Sequence, residues 1–382
     1  MKRIYLDHNA TTPLREEVAE AMSKILFSEF GNPTSTHEEG ARARTHVETS
    51  RERVAQCLGA KSAEIIFTAG ASESNNTVLA TLLDPELPRR GLITSTVEHP
   101  SILEPARQLE KAGVPVTWIP VDRDGRVSPE RVFEAADRGP ALVSLIWANN
   151  ETGVLQPIQE IAAGLEHRGI PLHVDATQTV GKCPVDLQST PIAYLSCSAH
   201  KLNGPKGTGC LVARGHSPVH PLLLGGPQER RRRGGTENVA GIVGFGLACQ
   251  LAHVELSERI KAYSELRDHL WQSLSERIGG LRRNGTSEHV LPNTLNLQFA
   301  GAAGEVMVQA LDLEGIAVSM GAACHSGSVS PSHVLTEMGL SSEEARSSLR
   351  LSVGQGLTLD DISRAAESIA RVARRAQEAS AA

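Results

Sequence analysis

The stretch PLHVDATQTVGKCPVDLQSTPIAYLSCSAHK, residues 171–201, contains two apolar, strand-like runs that end in polar side chains. The first run, PLHVDAT, reaches Asp175 near its end, and the second, AYLSCSAH, is followed directly by Lys201. Further strand-like runs, with amphipathic segments between them, lie at residues 64–70, 91–96, 116–121, 141–150 and 207–213. This alternation predicts an α/β domain, in which a mostly parallel central sheet carries helices on both faces. Ligands of such sheets bind beyond the carboxyl ends of the strands, so the polar residues there form the candidate site.

The pattern changes from about residue 236. A long helical stretch, residues 237–278, leads to strand-like runs at 291–300, 315–321 and 348–353, and a helix from Asp360 closes the chain. We interpret this part as a smaller α+β domain that is joined to the first through the long helix. The predicted division is a large domain of residues 15–255 and a small domain of residues 1–14 and 256–382.

Composition and charge argue against several classes of function. The net charge is -6, the pI is near 6.2 and aromatic residues make up 3% of the chain, which speaks against direct nucleic-acid binding. No apolar run approaches the ~20 residues of a membrane-spanning helix, and the start MKRIYLDHNATTP lacks the apolar core of a signal peptide. We therefore expect a cytoplasmic protein that does not contact membranes.

The six cysteines show no C-x-x-C pair and no zinc-type spacing, so no metal site is expected. Cys183, beside a proline, fits no clear pattern. Cys324 differs from the rest, because GAACHSG (321–327) surrounds it with small and polar residues, and we expect an exposed, reactive thiol there. The others lie in apolar helical or strand-like patterns and are interpreted as core residues: Cys57, Cys197, Cys210 and Cys249.

Three of the predicted strands are followed by residues that could bind different parts of one ligand. After residues 64–70, Ser72 opens a helical pattern whose backbone N–H groups suit a phosphate, although serine is also a common helix N-cap. Asp175 needs a cationic partner such as a pyridinium nitrogen if it is buried, or else it caps the next turn. Lys201 can form a Schiff base if its amine is desolvated, whereas a lone lysine is more often a surface residue. Phosphate anchor, nitrogen partner and Schiff-base lysine are what pyridoxal phosphate requires.

Ten short motifs follow one another along the whole chain: YLDHNATTP, FGNPTS, TAGASESNN, STVEH, ANNETG, HVDATQ, SAHKLNGPKG, RRGGTEN, GAACHSG and SLRLSVG. In this order they resemble the cysteine desulfurases of the class V aminotransferase group. The resemblance implies the fold of the fold-type-I transferases that depend on pyridoxal 5'-phosphate: a large cofactor-binding α/β domain and a smaller α+β domain. Selenocysteine lyases, a close branch, share most of these motifs.

The resemblance implies a role for each matching residue. Lys201 matches the lysine that binds the cofactor, Asp175 the partner of the ring nitrogen, and His99 the histidine stacked on the ring, with a role in proton transfer. Gln178 matches the donor to the ring hydroxyl oxygen. Thr236 matches the residue that reaches the phosphate of the neighbouring subunit, which implies a homodimer. The remaining matches are further cofactor contacts at Ala71, Ser72, Ser198 and His200, and a clamp on the substrate carboxylate at Asn32, Asn150 and Arg350.

The resemblance also assigns the exposed thiol. It implies that L-cysteine is the substrate and that Cys324 takes its sulfur as a persulfide, leaving L-alanine. The sulfur then passes to an acceptor protein, such as an iron–sulfur scaffold or a tRNA-thiolation protein. His325 could form a dyad with Cys324, although adjacent residues on a loop seldom orient their side chains toward each other. Two alternatives stay open: a selenocysteine lyase, and a non-catalytic sulfur-relay platform, which the intact Lys201, Asp175 and His99 argue against.

Overall fold

The computed structural model describes residues 3–215, 217–320 and 330–381, so Cys324 and His325 lie outside the described residues. The strands are β1 Ile4–Tyr5, β2 Ile65–Thr68, β3 Leu92–Ser95, β4 Val116–Ile119, β5 Leu142–Ile146, β6 Leu172–Asp175, β7 Tyr194–Ser198, β8 Gly209–Ala213, β9 Arg282–Arg283, β10 Thr294–Gln298, β11 Ile316–Ala317 and β12 Ser348–Ser352. The α-helices are α1 Glu16–Ser28, α2 Glu38–Leu58, α3 Ala71–Ala80, α4 Pro100–Lys111, α5 Pro129–Ala136, α6 Ile158–Glu166, α7 Gln228–Arg231, α8 Val239–Val254, α9 Leu256–Arg277, α10 Gly304–Leu313, α11 His333–Glu337, α12 Ser342–Arg346 and α13 Leu359–Ala381. Short 3-10 helices lie at Ser62–Glu64, Thr81–Leu83 and Ala199–Lys201.

In the described part of the chain, seven strands form the central sheet in the order β2-β8-β7-β6-β5-β3-β4. Strands β3 to β7 pair in parallel, and β8 runs antiparallel to both of its neighbours. Both faces are covered, since Ile66 and Tyr194 pack into one apolar cluster while the adjacent Phe67 and Leu195 pack into another. Because the sheet is covered on both faces, every residue of β5, β6 and β7 is buried, including the polar Ser144, His173 and Ser196, which hydrogen-bond to one another. The predicted α/β fold class is confirmed.

A second core forms around a smaller sheet, ordered β12-β10-β9, whose strands are antiparallel. Leu297 and Leu349 of this sheet share an apolar cluster with Ile369 of α13. The N-terminal β1 pairs in parallel with β11, and Ile4 joins the same cluster. The first residues of the chain therefore pack with its C-terminal part, although the predicted boundaries after residues 14 and 255 stay a prediction.

The prediction of one long helix over residues 237–278 is wrong in one respect. The segment forms two helices, α8 and α9, whose axes are bent by 76° relative to each other. Phe245 of α8 packs in the core of the central sheet, and Leu270 of α9 packs in the second core. The bend allows the two helices to pack in different cores. Glu255 stands at the bend and accepts hydrogen bonds from Arg15 and Arg259. No single helix in the described ranges has the length and apolarity to cross a bilayer; this bent pair meets the criterion by length and composition alone.

Candidate active site

The carboxyl ends of β5, β6 and β7 lie side by side, because the register pairs Ile146 with Asp175 and Asp175 with Ser196. A cavity of about 290 Å³ opens there, close to the ~300 Å³ at which small-ligand sites begin. Of the predicted site residues that the structure describes, all except Asn32 and Thr236 line it. The full lining is Asn9, Ala10, Ala71, Ser72, His99, Ser101, Ile146, Asn150, Asp175, Thr177, Gln178, Ser198, His200, Lys201 and Arg350.

One end of the cavity is the N-terminus of α3. Gly70, with a φ of 152°, holds the N-cap position and offers no side-chain cap, so Ser72 is a residue of the first turn and not the cap. Helix N-termini leave their first backbone N–H groups without an intrahelical acceptor. Ser198 Oγ accepts a hydrogen bond from Ala71 N at 2.7 Å, and a Cβ on Gly70 would stand 3.3 Å from that oxygen. The close approach of this glycine to β7 creates a cradle for an anion.

His200 lies beside this cradle in a half-buried position. Burial, with the nearby Lys201 ammonium, lowers the pKa of His200 to about 4, so its imidazole is neutral near pH 7. Its Nδ1 lies 3.2 Å from Thr11 Oγ1. The ring can therefore donate one hydrogen bond to an anion without adding charge.

Asp175 ends β6 as a buried carboxylate. Its Oδ2 accepts from Asn75 Nδ2 at 2.8 Å, and its Oδ1 accepts from Thr177 N at 3.0 Å. The side chain thus caps the following turn and also lines the cavity, so its capping contact does not exclude the predicted role toward a ring nitrogen. Neither donor is a cation, so a protonated ring nitrogen would compensate the buried negative charge.

Lys201 follows β7 in the 3-10 helix Ala199–Lys201. Its Nζ donates to the carbonyl oxygens of Asn9 at 2.6 Å and Ala10 at 2.7 Å. Burial, assisted by the Arg350 guanidinium, lowers the pKa of this amine to about 8. A larger fraction of neutral amine is present near pH 7 than for a surface lysine, which is the condition for a Schiff-base nucleophile.

His99 is the N-cap of α4 and lines the cavity. Its Nδ1 accepts a hydrogen bond from Ser101 N at 3.1 Å and lies 2.8 Å from Ser101 Oγ. Because Nδ1 is the acceptor, the proton of the neutral ring is on Nε2. Burial lowers the pKa of His99, which favours this neutral form.

Arg350, buried on β12, is held from two sides. Its Nη2 donates to Asp7 Oδ1 at 2.7 Å and its Nη1 to Asn150 O at 3.0 Å. The buried Nε has no hydrogen-bond partner among the described residues. The guanidinium is therefore fixed in place while part of its donor set remains for a substrate carboxylate.

Two predicted residues do not line this cavity, and a third cannot be placed. Asn32 is exposed between α1 and α2, and its Oδ1 accepts hydrogen bonds from Thr34 N and Thr34 Oγ1, at 3.0 and 2.8 Å. That local turn keeps it apart from the wall that Arg350 forms within one chain. Thr236 lines a separate cavity of about 150 Å³. Cys324 lies outside the described residues, and the roles of all three stay predictions.

Sequence reasoning missed several groups that complete the site. The carbonyl oxygens of Asn9 and Ala10 hold Lys201, and the amide of Asn75 holds Asp175. Asn9 and Ala10 lie in the motif YLDHNATTP, and Asn75 lies in TAGASESNN. Their place in these motifs is the only feature of the sequence that could have pointed to them. Which of their polar groups would face the site could not be read from the motif, because two of the three contacts use the main chain.

The residues present fit pyridoxal phosphate. The α3 N-terminus suits a phosphate, the Asp175 carboxylate suits a protonated ring nitrogen, and Lys201 supplies an amine of lowered pKa. Gln178 and His99 line the space between these groups. Over residues 3–215, 217–320 and 330–381, no group of three or more His, Cys, Asp or Glu side chains could hold a metal ion.

Comparisons with known proteins point the same way. The aminotransferase class-V family model matches residues 4–365. The cysteine desulfurase IscS of Dictyoglomus turgidum is 44% identical over 375 residues, which cover 97% of this chain and 95% of that protein. The structure of a NifS-like protein is 37% identical with a TM-score of 0.91, covering 97% of this chain and 99% of its own. The structure of SspA in complex with cysteine is 34% identical with a TM-score of 0.78, covering 92% and 99%.

These matches span almost the whole chain and include the site. The enzymes of this group depend on pyridoxal phosphate, and it is the cofactor of this chain as well. The fold, the cavity and the similarity lead to one assignment: the chain belongs to the aminotransferase class-V family.

Proposed function

We propose that this protein is a cysteine desulfurase, which converts L-cysteine into L-alanine and carries the sulfur away as a persulfide on Cys324. The observation that carries the proposal is the single cavity in which Lys201, Asp175, His99 and Arg350 meet. The relatives support the substrate, because one at 44% identity is a cysteine desulfurase and the SspA structure holds cysteine.

When bound, pyridoxal phosphate supplies an electron sink that acidifies the substrate α-proton and activates the carbon–sulfur bond. Lys201 would hold the cofactor, and its amine can accept and return a proton near neutral pH because of its lowered pKa. Asp175 stabilises positive charge on the ring nitrogen. His99 carries its proton on Nε2 and can exchange it within the cavity. Arg350 binds the substrate carboxylate through the donors that Asp7 and Asn150 leave available.

Cys324 then takes the sulfur. Its thiolate attacks the substrate sulfur, so that an S–S bond forms as the C–S bond breaks. The electron pair of the C–S bond stays on carbon, which takes up a proton and becomes the methyl group of alanine. A thiolate of the acceptor protein removes the outer sulfur and restores Cys324. We place this residue in the proposed small domain, residues 1–14 and 256–382, and its small, polar sequence neighbours support a thiol that must meet two different partners.

We also propose a homodimer with shared active sites. The match of Thr236 to the residue that reaches a neighbouring phosphate supports it. So do Leu26, Phe27 and Phe30, which are 72%, 89% and 87% exposed, since a second subunit would cover such an apolar patch. Sedimentation should give a dimer, and an active monomer at micromolar concentration would contradict the proposal.

A cytoplasmic location and transfer of sulfur to an iron–sulfur scaffold or a tRNA-thiolation protein complete the proposal. The IscS name of the first relative supports the iron–sulfur route. The five cysteines among the described residues are free, including Cys197 and Cys210, whose sulfurs lie 3.4 Å apart on paired strands.

The test is the reaction itself. Protein reconstituted with pyridoxal phosphate is incubated with L-cysteine, and alanine and sulfide are measured with and without reductant. Without reductant, mass mapping should find one extra sulfur on the peptide that contains GAACHSG. Cys324→Ser should bind the cofactor normally and release almost no alanine, because a serine hydroxyl is scarcely ionised near neutral pH. Normal alanine release by that variant, or turnover of selenocysteine alone, would overturn the proposal.

A further inference from the structure

Lys182 is a buried lysine beside the cavity that the proposed mechanism does not use. Its side chain is 4% exposed, and its Nζ makes a 2.8 Å hydrogen bond to Gln178 Oε1. Among the described residues it has no carboxylate within ion-pair distance. The charged or titratable groups that interact with it are Lys201, Arg350, Cys183, His8 and His200.

The local backbone brings Lys182 and Gln178 together. Residues 176–183 turn helically after β6, with Val180 N bonded to Ala176 O and Cys183 N bonded to Thr179 O. Side chains four residues apart then lie on the same side of the turn. Gly181, with a φ of 77°, allows the chain to reverse there, where a side chain would be strained.

The contacts determine which way the amide of Gln178 points. An ammonium can only donate a hydrogen bond, so the atom that faces Lys182 must be Oε1. A carbonyl oxygen can only accept, so the atom that faces Asn9 O, at 2.9 Å, must be Nε2. One N–H of that NH₂ group is used on Asn9. Because Gln178 lines the cavity, the second N–H is a donor for an acceptor oxygen there.

We propose that Lys182 is a positioning residue, which fixes the amide of Gln178 so that its free N–H is offered to the ring hydroxyl oxygen of the cofactor and favours the anionic form of that oxygen. Without Lys182, only the contact with Asn9 O would hold the amide of Gln178, so the orientation that offers the free N–H would be less firmly fixed. This inference deepens the proposed function, since it concerns the same site.

The charge of Lys182 has a second consequence. Burial and the neighbouring Lys201 lower the pKa of Lys182 to about 7. An oxygen anion held by Gln178 would raise the pKa of Lys182 again, because a nearby negative charge favours the ammonium form. By reciprocity, the Lys182 ammonium lowers the pKa of the group that carries the anion. Asn9 O accepts hydrogen bonds from Gln178 Nε2 and from the free amine of Lys201. Lys182, Gln178, Asn9 and Lys201 therefore form one hydrogen-bonded network beside the cavity.

The test compares Lys182→Met with the exposed-lysine control Lys111→Met in protein reconstituted with pyridoxal phosphate. The readouts are the dissociation constant of the cofactor and the pH titration of its visible absorption band, neither of which requires turnover. Lys182→Met should weaken cofactor binding by on the order of tenfold, which is the loss of about one hydrogen bond to a charged group. It should raise the apparent pKa of the band by about one unit. Lys111→Met should change neither value.

Two further variants decide the mechanism. In a Gln178→Leu background, Lys182→Met should cause little further loss of cofactor affinity, because Lys182 positions that contact through Gln178, whereas the effect of its charge on the band should remain. Lys182→Gln, which keeps an N–H donor without charge, should restore part of the affinity but not the band pKa, and it replaces Lys182→Met if that variant does not fold. An unchanged band pKa in both Lys182 variants would overturn the inference. A wild type that shows the band but releases no alanine would instead overturn the proposed function alone.

Discussion

Replacement of Glu229 by glutamine should destabilise the protein strongly, because this carboxylate is the partner of a buried cation. Its oxygens accept hydrogen bonds from Arg51 Nη1 and Nη2 at 2.7 and 2.8 Å, and from Phe67 N at 3.0 Å. The Arg51 and Glu229 side chains are 7% and 2% exposed. Removing one partner of such a pair leaves an uncompensated buried charge and costs ~3–5 kcal/mol. Arg51 retains its bonds to Ile65 O and Glu48, so we expect the lower value, about 3 kcal/mol.

Thermal unfolding followed by circular dichroism measures this effect. At ~2–4 °C per kcal/mol for a large domain, a loss of about 3 kcal/mol lowers Tm by roughly 6–12 °C. The control is Asp137→Asn, which breaks the ion pair between Arg168 and Asp137. The Arg168 side chain is 34% exposed and the Asp137 side chain is 65% exposed. That exposed pair contributes ~1 kcal/mol or less. The double variant Arg51→Met, Glu229→Gln removes both charges and should regain most of the loss.

A Tm change for Glu229→Gln no larger than that for Asp137→Asn would refute the reasoning. The outcome also bears on the site, because Glu229, Arg230 and Arg231 have φ values of 46°, 57° and 66° and precede Thr236. Three consecutive left-handed residues without glycine are strained. The ion pair ties this turn to Arg51 of α2, and hydrogen bonds from Phe67 N to Glu229 and from Arg232 Nη2 to Ile65 O tie it to β2.

Three more predictions concern single residues. Lys201→Ala should lose the cofactor linkage that borohydride reduces in the wild type; a covalent adduct that survives would contradict the assignment of this lysine. Arg231→Gly should raise the free energy of unfolding by ~0.5–1 kcal/mol, because the exposed Arg231 has a left-handed backbone that glycine adopts without strain, and a lower Tm would count against this. His173 is buried between the hydroxyls of Ser144 and Ser196, and burial lowers its pKa to about 4, below the value of 6.5 in the unfolded chain. Its contribution to stability is therefore complete above pH 6.5 and falls as the pH drops toward 4, and guanidinium midpoints at several pH values should decline less for His173→Asn than for the wild type.

Much of the site could be predicted because its chemistry follows the ends of recognisable strands. β6 and β7 are fully buried strands; Asp175 is the last residue of β6, and Lys201 is the third residue after β7. A parallel sheet brings such ends to one edge whatever the side chains around them. The order of the motifs then predicted a role toward the cofactor for each of the other residues. The sheet order and the antiparallel placement of β8 were not available in this way, since they depend on which strands pair.

The sequence by itself therefore determined the fold class, the cofactor chemistry and the residues at the strand ends, because apolar periodicity and end chemistry are local properties of the chain. The tertiary structure alone decided the contacts between distant segments. Asp7 reaches Arg350 and the Asn9 carbonyl reaches Lys201 only after β1 packs with the C-terminal core. It also decided the bend at Glu255 and the partner of Lys182. These depend on packing and on hydrogen bonds to main-chain groups, whose positions no residue type specifies.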